Sequence, residues 1–83
     1  MADGLLAEAV RRGGYRRGAH AASFVHGWAL VEHELGQKIG IEEFARFTGM
    51  SERTAYRSLR RFREVFPEAR TPSDMIVPKG EAT

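Results

Sequence analysis

The chain has 83 residues, a formal net charge of +2, 42% hydrophobic residues and no cysteine. This length and this apolar fraction indicate one folded domain over residues 1–83, too small to include a second, ligand-sensing domain. The missing cysteines exclude disulfides and thiolate metal sites as sources of stability. We find no apolar run long enough to span a membrane and no signal segment, so we expect a cytoplasmic protein.

The first half of the chain predicts two helices separated by glycines. The first helix ends at Gly13-Gly14, and residues 15–18 follow as a basic connector. A longer helix is predicted over residues 19–35, and the unusual Gly27 within it is expected to mark the close approach of another helix. The apolar side of the first helix consists of Leu5, Leu6, Ala9 and Val10, and that of the second consists of Ala21, Phe24, Val25, Trp28, Val31 and Leu35.

Residues 41–66 carry the most informative pattern, which predicts two helices joined by a three-residue turn. Gly49 follows the first helix at the position where a left-handed residue commonly ends a helix. Met50 gives the turn an apolar anchor, and the hydroxyl of Ser51 can cap the helix that follows. The buried stripe of the first helix, with helical spacing, consists of Ile41, Phe44, Ala45 and Thr48.

The second of these helices separates apolar from cationic side chains. At about 100° per residue, four apolar side chains fall within a sector of roughly 60°. Pro67 disfavours helical geometry in the residue before it, so we expect the helix to end near Phe66. The apolar sector contains Ala55, Leu59, Phe62 and Phe66. Arg53, Arg57 and Arg60 fall roughly opposite, with Tyr56, Arg61 and Arg63 on the flanks.

Charge is distributed unevenly along the chain. Residues 53–63 contain five arginines and no acid, residues 11–17 contain four arginines, and residues 32–43 contain four glutamates and one lysine. A solvated helix face usually mixes signs at i, i+4 spacing, which residues 53–63 do not. The pattern therefore favours contact with DNA, and the alternative is a solvated face whose later arginines complement the helix dipole.

Residues 41–66 resemble the helix-turn-helix of bacterial and phage regulators. The resemblance rests on Ala45, Gly49, Met50 and Ser51 and on the run GMSERTAYRSLRRF, and it covers about a third of the chain. The sequence departs from the family at Ala55, where Val or Ile is usual. The resemblance implies that the second helix enters the major groove of DNA. The contact residues that it implies are Ser51, Glu52, Arg53, Tyr56, Arg57 and Arg60, and the outward-facing arginines add Arg61.

Three of these residues have a second interpretation. Glu52 can accept from a cytosine amino group, or it can simply complement the helix dipole. Ser51 can lie against a phosphate, or it can serve only as the N-cap. Tyr56 can touch a phosphate or a thymine methyl, or it can shield the edge of the core.

The N-terminal arginines form a second candidate set. A flexible basic arm can follow the DNA backbone or the minor groove. The alternative is a helix end rich in cations followed by a solvated loop. The residues concerned, as possible backbone contacts, are Arg11, Arg12, Arg16 and Arg17.

The histidines do not predict a metal site. His26 and His33 are two turns apart, about 10 Å along a helix, which is too far to share an ion, and no cysteine completes a site. Ser23 lies near His20 and His26 in the sequence but lacks an orienting acid. We therefore expect no metal, no cofactor and no enzymatic activity.

The predicted fold is all-α, with a three-helix core formed by residues 19–35 and the helix pair, plus an N-terminal helix. Residues 67–83 form a C-terminal tail. Thr71–Asp74 is predicted as a turn or the start of a single-turn helix, and Met75–Val77 as an apolar patch. Residues 78–83 are predicted to fray. This tail offers one strand-like triplet and no return strand, so an extended tail or a vestigial wing is favoured over a full wing.

These features predict a sequence-specific protein that binds double-stranded DNA, such as a small transcriptional regulator, for example a repressor, or a phage or plasmid cofactor. One recognition helix reads only about four base pairs, so a homodimer on two half-sites is expected. The predicted seam is the N-terminal helix, with the tail second. The alternative is an adaptor that docks on polymerase, a recombinase or another regulator through Glu32–Glu43 and Met75–Val77.

Overall fold

The structure, a computed structural model, describes residues 2–76, with side chains from residue 4 onward. Helix α1 spans Ala2–Leu35, α2 spans Ile41–Thr48 and α3 spans Glu52–Val65, and a 3-10 turn follows at Pro72–Met75. No strand forms within residues 2–76, so the all-α prediction is confirmed. No helix in this part of the chain is long and apolar enough to cross a bilayer. The predicted frayed end and Val77 lie outside the described residues.

Helix α1 is bent at Gly14, whose φ of 85° and ψ of 171° depart from helical geometry. We call residues 2–13 the N-terminal arm and residues 15–35 the long arm. Residues 15–18 form the first turn of the long arm, so the prediction that they are a connector was wrong. Glycine adopts a positive φ without steric cost, and the non-helical geometry is confined to this one residue.

The two arms of α1 cross closely at Gly18. A Cβ atom at this position would lie 2.5 Å from the backbone nitrogen of Val10 and 2.6 Å from the carbonyl carbon of Ala9. In a straight helix Ala9 and Gly18, nine positions apart, would be separated by about 13.5 Å along the axis, so the bend folds the arms onto each other. The close approach predicted at Gly27 was wrong, since no described atom outside its own helix turn lies within 4 Å of a Cβ built there.

The apolar stripe of the long arm packs against α2 and α3, as predicted. The rings of Trp28 and Phe44 stack with centroids 5.0 Å apart, and Phe24 meets both rings edge-on. Trp28 and Phe62 are fully buried. Leu35 was predicted to extend this stripe but is 42% exposed, because the helix ends there and Gly36 turns the chain away. The core therefore rests on aromatic contacts among three helices.

The junction between α2 and α3 has the predicted local geometry. Gly49 is left-handed with φ of 76°, and the amide of Met50 donates to the carbonyl of Ala45 at 3.0 Å. The hydroxyl oxygen of Ser51 caps α3 by accepting from the amide of Thr54 at 3.2 Å. These contacts fix the turn that connects the two helices.

A buried carboxylate joins three parts of the chain. Glu32 is only 9% exposed, and its Oε2 atom accepts from Nε1 of Trp28 at 3.0 Å and from the amide of Ile39 at 3.1 Å. It also accepts from the hydroxyl of Ser73. Contrary to the sequence-based expectation, Glu32 is therefore not part of an exposed acidic docking segment. Ile39 is buried beneath the connection to α2, as predicted.

The described part of the tail packs on its own chain. Thr71 caps the 3-10 turn by accepting from the amide of Ser73 at 3.2 Å, which confirms the predicted single-turn helix start. Met75 and Ile76 are partly buried against the core. They are therefore not the free apolar patch that the sequence predicted.

Replacing Glu32 with alanine should destabilise the fold, because the amide of Ile39 and the hydroxyl of Ser73 lose their acceptor, whereas Nε1 of Trp28 keeps a second acceptor, Oγ of Ser73, at 2.9 Å. A buried donor without a partner costs about 1–3 kcal/mol, so urea unfolding should show a loss of roughly 2 kcal/mol or more. Glu34→Ala, on an exposed site of the same helix, should change stability by less than about 0.5 kcal/mol. Equal effects of the two substitutions would contradict this role. If E32A does not fold, Ser73→Ala should still cost about 1 kcal/mol.

Gly18 and Gly27 provide a matched pair of substitutions in one helix. Gly18→Ala forces a methyl group into the backbone of the N-terminal arm and should cost about 1–3 kcal/mol. Gly27→Ala meets open space and should stabilise the helix by roughly 0.5–1 kcal/mol. Thermal unfolding followed by circular dichroism measures both changes. A stable Gly18→Ala protein would show that the arms do not cross as described.

Candidate functional site

The outer face of α3 is lined by arginines. Its inner face packs on the core, and between Glu52 in the first turn and Glu64 near the end no carboxylate lies on the helix. As predicted, the apolar side chains of this helix are buried and its arginines are exposed. The exposed arginines are Arg53, Arg57, Arg60, Arg61 and Arg63, of which Arg63 donates to the carbonyl of Arg70, and the buried residues are Ala55, Leu59, Phe62 and Val65.

Three other predicted contact residues lie near the beginning of α3. The hydroxyl of Ser51 is engaged in the cap and also donates to Oγ1 of Thr54 at 3.0 Å. Glu52 is exposed in the first turn, where its charge complements the helix dipole. Tyr56 is 46% exposed, so nearly half of its surface is open to a ligand.

The long arm of α1 brings a second group of cationic side chains beside α3. Together the two helices line a cavity of about 660 Å³, which we call the cationic cleft. Because residues 15–18 are helical, their arginines are held on a helix that packs against α3 rather than on a flexible loop. The lining residues are Arg16, Arg17 and His20 from α1 and Arg57, Arg60, Arg61 and Glu64 from α3.

Nearby acids do not balance the charge of the cationic cleft. None of its five arginines lies within 4.0 Å of a carboxylate belonging to residues 4–76. Five arginines and one glutamate give the lining a formal charge of +4 when His20 is neutral. A concave surface with one sign of charge concentrates its field and attracts ions of the opposite sign. The cleft is therefore suited to an anionic ligand.

Arg11 and Arg12 are engaged elsewhere. Both donate to the carboxylate of Glu8, and Nε of Arg12 does so at 2.8 Å. The hydrogen bonds from Arg11 and from Arg12 lower the pKa of Glu8 to about 2. These ion pairs lie on the surface of the N-terminal arm, where such pairs contribute little to stability.

Arg12 also fastens the N-terminal arm to the end of α3. Its Nη1 atom donates to the carbonyl of Val65 at 3.2 Å and to Glu68 at 2.9 Å. Its guanidinium carbon lies 4.8 Å from the centre of the Phe66 ring. Arg12 thus satisfies one of the carbonyls that a helix end leaves unpaired. Contact of Arg11 and Arg12 with DNA stays a prediction.

His20 and Glu64 line the cleft but were not among the contact residues that the sequence predicted. The Nδ1 atom of His20 is buried, and no donor or acceptor of the described residues contacts it. His26 and His33, on the same helix, are exposed. The useful signal was the helical spacing of His20 from Arg16 and Arg17, which holds only if residues 15–18 are helical.

Comparisons of the chain with protein-family models, with curated proteins and with solved structures found no match. The resemblance to helix-turn-helix regulators therefore rests on residues 41–66 alone. The function has to be inferred from the chemistry of the α3 face and the cationic cleft.

Proposed function

We propose that the chain is a sequence-specific protein of the helix-turn-helix class that binds double-stranded DNA by inserting α3 into the major groove. The observation that carries this proposal is the outer face of α3, where exposed arginines run without a carboxylate as far as Glu64. The 14 residues of α3 give a rod about 21 Å long. The major groove of B-DNA is wide enough to admit such a helix.

The exposed arginines suit two kinds of contact. A guanidinium can donate two hydrogen bonds to the O6 and N7 atoms of guanine, and we assign this base contact to Arg57 and Arg60. We assign phosphate contacts at the edge of the groove to Ser51 and Arg53, at the beginning of α3. A cytoplasmic transcriptional regulator, for example a repressor, is the role that fits a domain of this size.

Replacing Arg57 with alanine should remove sequence discrimination. One bidentate base contact is worth about 1–3 kcal/mol of discrimination between sequences. Gel retardation measures this discrimination as the ratio of the affinities for a selected and a random duplex. Arg11→Ala is the matched control, because Arg11 pairs with Glu8 away from α3, and it should leave the ratio unchanged. Wild-type binding should weaken steeply with salt, since several phosphates are neutralised.

Two results of this experiment would count against the proposal. If Arg57→Ala and Arg11→Ala weaken binding to both duplexes equally, Arg57 does not read a base. If the wild-type protein retards no random, genomic or selected duplex at micromolar concentration and low salt, the chain is not a DNA-binding protein.

We also propose that the working form is a homodimer on two half-sites about one helical turn apart. Two residues of the predicted seam on the N-terminal helix are not available to a second chain, because Ala9 is fully buried and Leu5 packs against the core of the same chain. Leu6 remains 42% exposed. Light scattering should find two chains for each bound duplex. A monomer that binds one half-site tightly at high micromolar concentration would contradict the dimer.

A protein-interaction adaptor is the competing proposal. Its acidic surface is reduced because Glu32 is buried, and the described part of its apolar tail packs against the core. What supports it is exposed apolar surface, notably Phe47, which is 50% exposed on α2. A protein partner retained after the double substitution Arg57→Ala and Arg60→Ala would favour the adaptor. Loss of DNA binding in that variant would favour the DNA-binding protein.

A further inference from the structure

Two helices that are separated in the sequence bring to one cleft five arginines that have no carboxylate of residues 4–76 within 4.0 Å. Arg16 and Arg17 come from the long arm of α1, and Arg57, Arg60 and Arg61 come from α3. Like charges held close together repel one another. A bound anion relieves this repulsion and receives charge-assisted hydrogen bonds from both helices. The cleft therefore has a stronger preference for an anion than the outer face of α3 alone.

The geometry of the cleft is fixed by packing at its edge. A Cβ atom built on Gly13 would lie 3.1 Å from Cγ2 of Val65, and Arg12 donates to the carbonyl of Val65. These contacts hold the end of the N-terminal arm against the end of α3, and the long arm begins directly after the bend at Gly14. Arg61 lies one helical turn before Val65, on the edge of α3 that faces α1. Arg61 and the first turn of the long arm are thus held on opposite sides of the cleft.

His20 adds a donor that is not a guanidinium. His20 lines the cleft, and its Nδ1 atom is buried without a partner among the described residues, so we assign the hydrogen bond to a ligand to Nε2. Arginine forks match the paired oxygens of a phosphate group, and an imidazole N–H can donate to a third. The cavity of about 660 Å³ lies within the range of roughly 300–1,000 Å³ typical of ligand sites. It can hold a phosphate together with the sugars that flank it.

We propose that the cationic cleft holds one phosphate of the DNA backbone, with Arg16, Arg17 and His20 donating from α1 and Arg61 donating from α3. This inference rests on the proposed function and adds a defined phosphate clamp beside the base-reading face. Phosphate contacts fix the register of a protein on the duplex and carry no sequence information. The clamp therefore orients α3 and strengthens binding to every duplex by the same factor.

The double variant Arg16→Gln and Arg17→Gln tests the clamp. Its affinity for a selected and a random duplex should fall by the same factor, roughly tenfold. Because a single phosphate is involved, the slope of log affinity against log salt should decrease in magnitude by about 1. The control variant Lys38→Gln and Arg70→Gln removes the same charge from exposed residues outside the cleft and outside every proposed DNA contact, and it should change the slope far less. Equal effects of the two variants would overturn the clamp.

The imidazole signals of His20 provide an independent readout by nuclear magnetic resonance. Both duplex DNA and inorganic tripolyphosphate should shift the His20 signals in the wild-type protein, while the exposed His26 and His33 serve as internal controls. The shifts should disappear in the variant Arg16→Gln and Arg17→Gln, whose fold is checked by circular dichroism. If neither ligand shifts His20 while the duplex is still retarded, the clamp is overturned and the proposed function stands.

Tripolyphosphate distinguishes the backbone phosphate from a free one. If tripolyphosphate shifts His20 but the double variant binds duplex DNA as tightly as the wild-type protein does, the cleft takes free polyphosphate and the backbone assignment is overturned. If tripolyphosphate shifts His20 and no duplex binds the wild-type protein at all, the proposed function and the backbone assignment both fail.

Discussion

The fold depends on the carboxylate of Glu32, which lies on α1 and accepts hydrogen bonds from two other segments of the chain as well as from α1 itself. Its Oε2 atom is bonded to the indole of Trp28, to the amide of Ile39 and to the hydroxyl of Ser73. Ile39 leads into α2, and Ser73 lies in the 3-10 turn, so the carboxylate sets where both segments meet the long arm of α1. A buried carboxylate is tolerated only when its hydrogen bonds are formed, which makes this arrangement intolerant of partial loss.

The same helix positions the core and the cationic cleft. The long arm places Phe24 and Trp28 among the rings of Phe44 and Phe62, and it carries Arg16 and its neighbours at its beginning. The angle at which α3 packs on the long arm therefore decides how closely the cationic groups of the two helices approach each other. Stability and the anion-binding surface are both set by one packing arrangement.

The arginines of this chain have two different roles, and their surroundings distinguish them. Arg12 lies within reach of two carboxylates, a helix-end carbonyl and an aromatic ring, and it holds the N-terminal arm in place. Arg63 likewise donates to the carbonyl of Arg70 at 2.7 Å. Arg57 and Arg61 have no carboxylate of residues 4–76 within 4.0 Å and are available to a ligand. Residue type alone does not separate these roles.

The sequence predicted α2, α3 and the turn between them because their determinants are local. Gly49, Ser51 and Pro67 act on their immediate neighbours, and helical spacing identifies the buried side of each helix. The glycines of α1 were misassigned because one residue type performs two tasks: Gly14 supplies a bend, whereas Gly18 admits a neighbouring backbone. Only the distant contact with Ala9 reveals the difference.

For the candidate site, the sequence predicted the contribution of α3 but not that of α1. The α3 side of the site follows from the periodicity of the arginines around Ala55 and Leu59. On the α1 side, the sequence identified Arg16 and Arg17 as candidates but could not show where they lie. Residues 15–18 were predicted as a loop, and Arg16 and His20 come together only if these residues form a helix. The burial of Glu32 was hidden for another reason: its partners Ile39 and Ser73 are brought to it by the fold, and no local pattern marks them.

Methylation interference at guanine N7 is the most direct test of major-groove recognition by α3. This atom lies in the major groove, where the arginine forks are expected to bond. Methylation of guanines within a selected site should prevent binding, whereas a small molecule that fills the minor groove of the same site should leave binding intact. Binding that is unaffected by N7 methylation and abolished by the minor-groove ligand would contradict the insertion of α3 into the major groove.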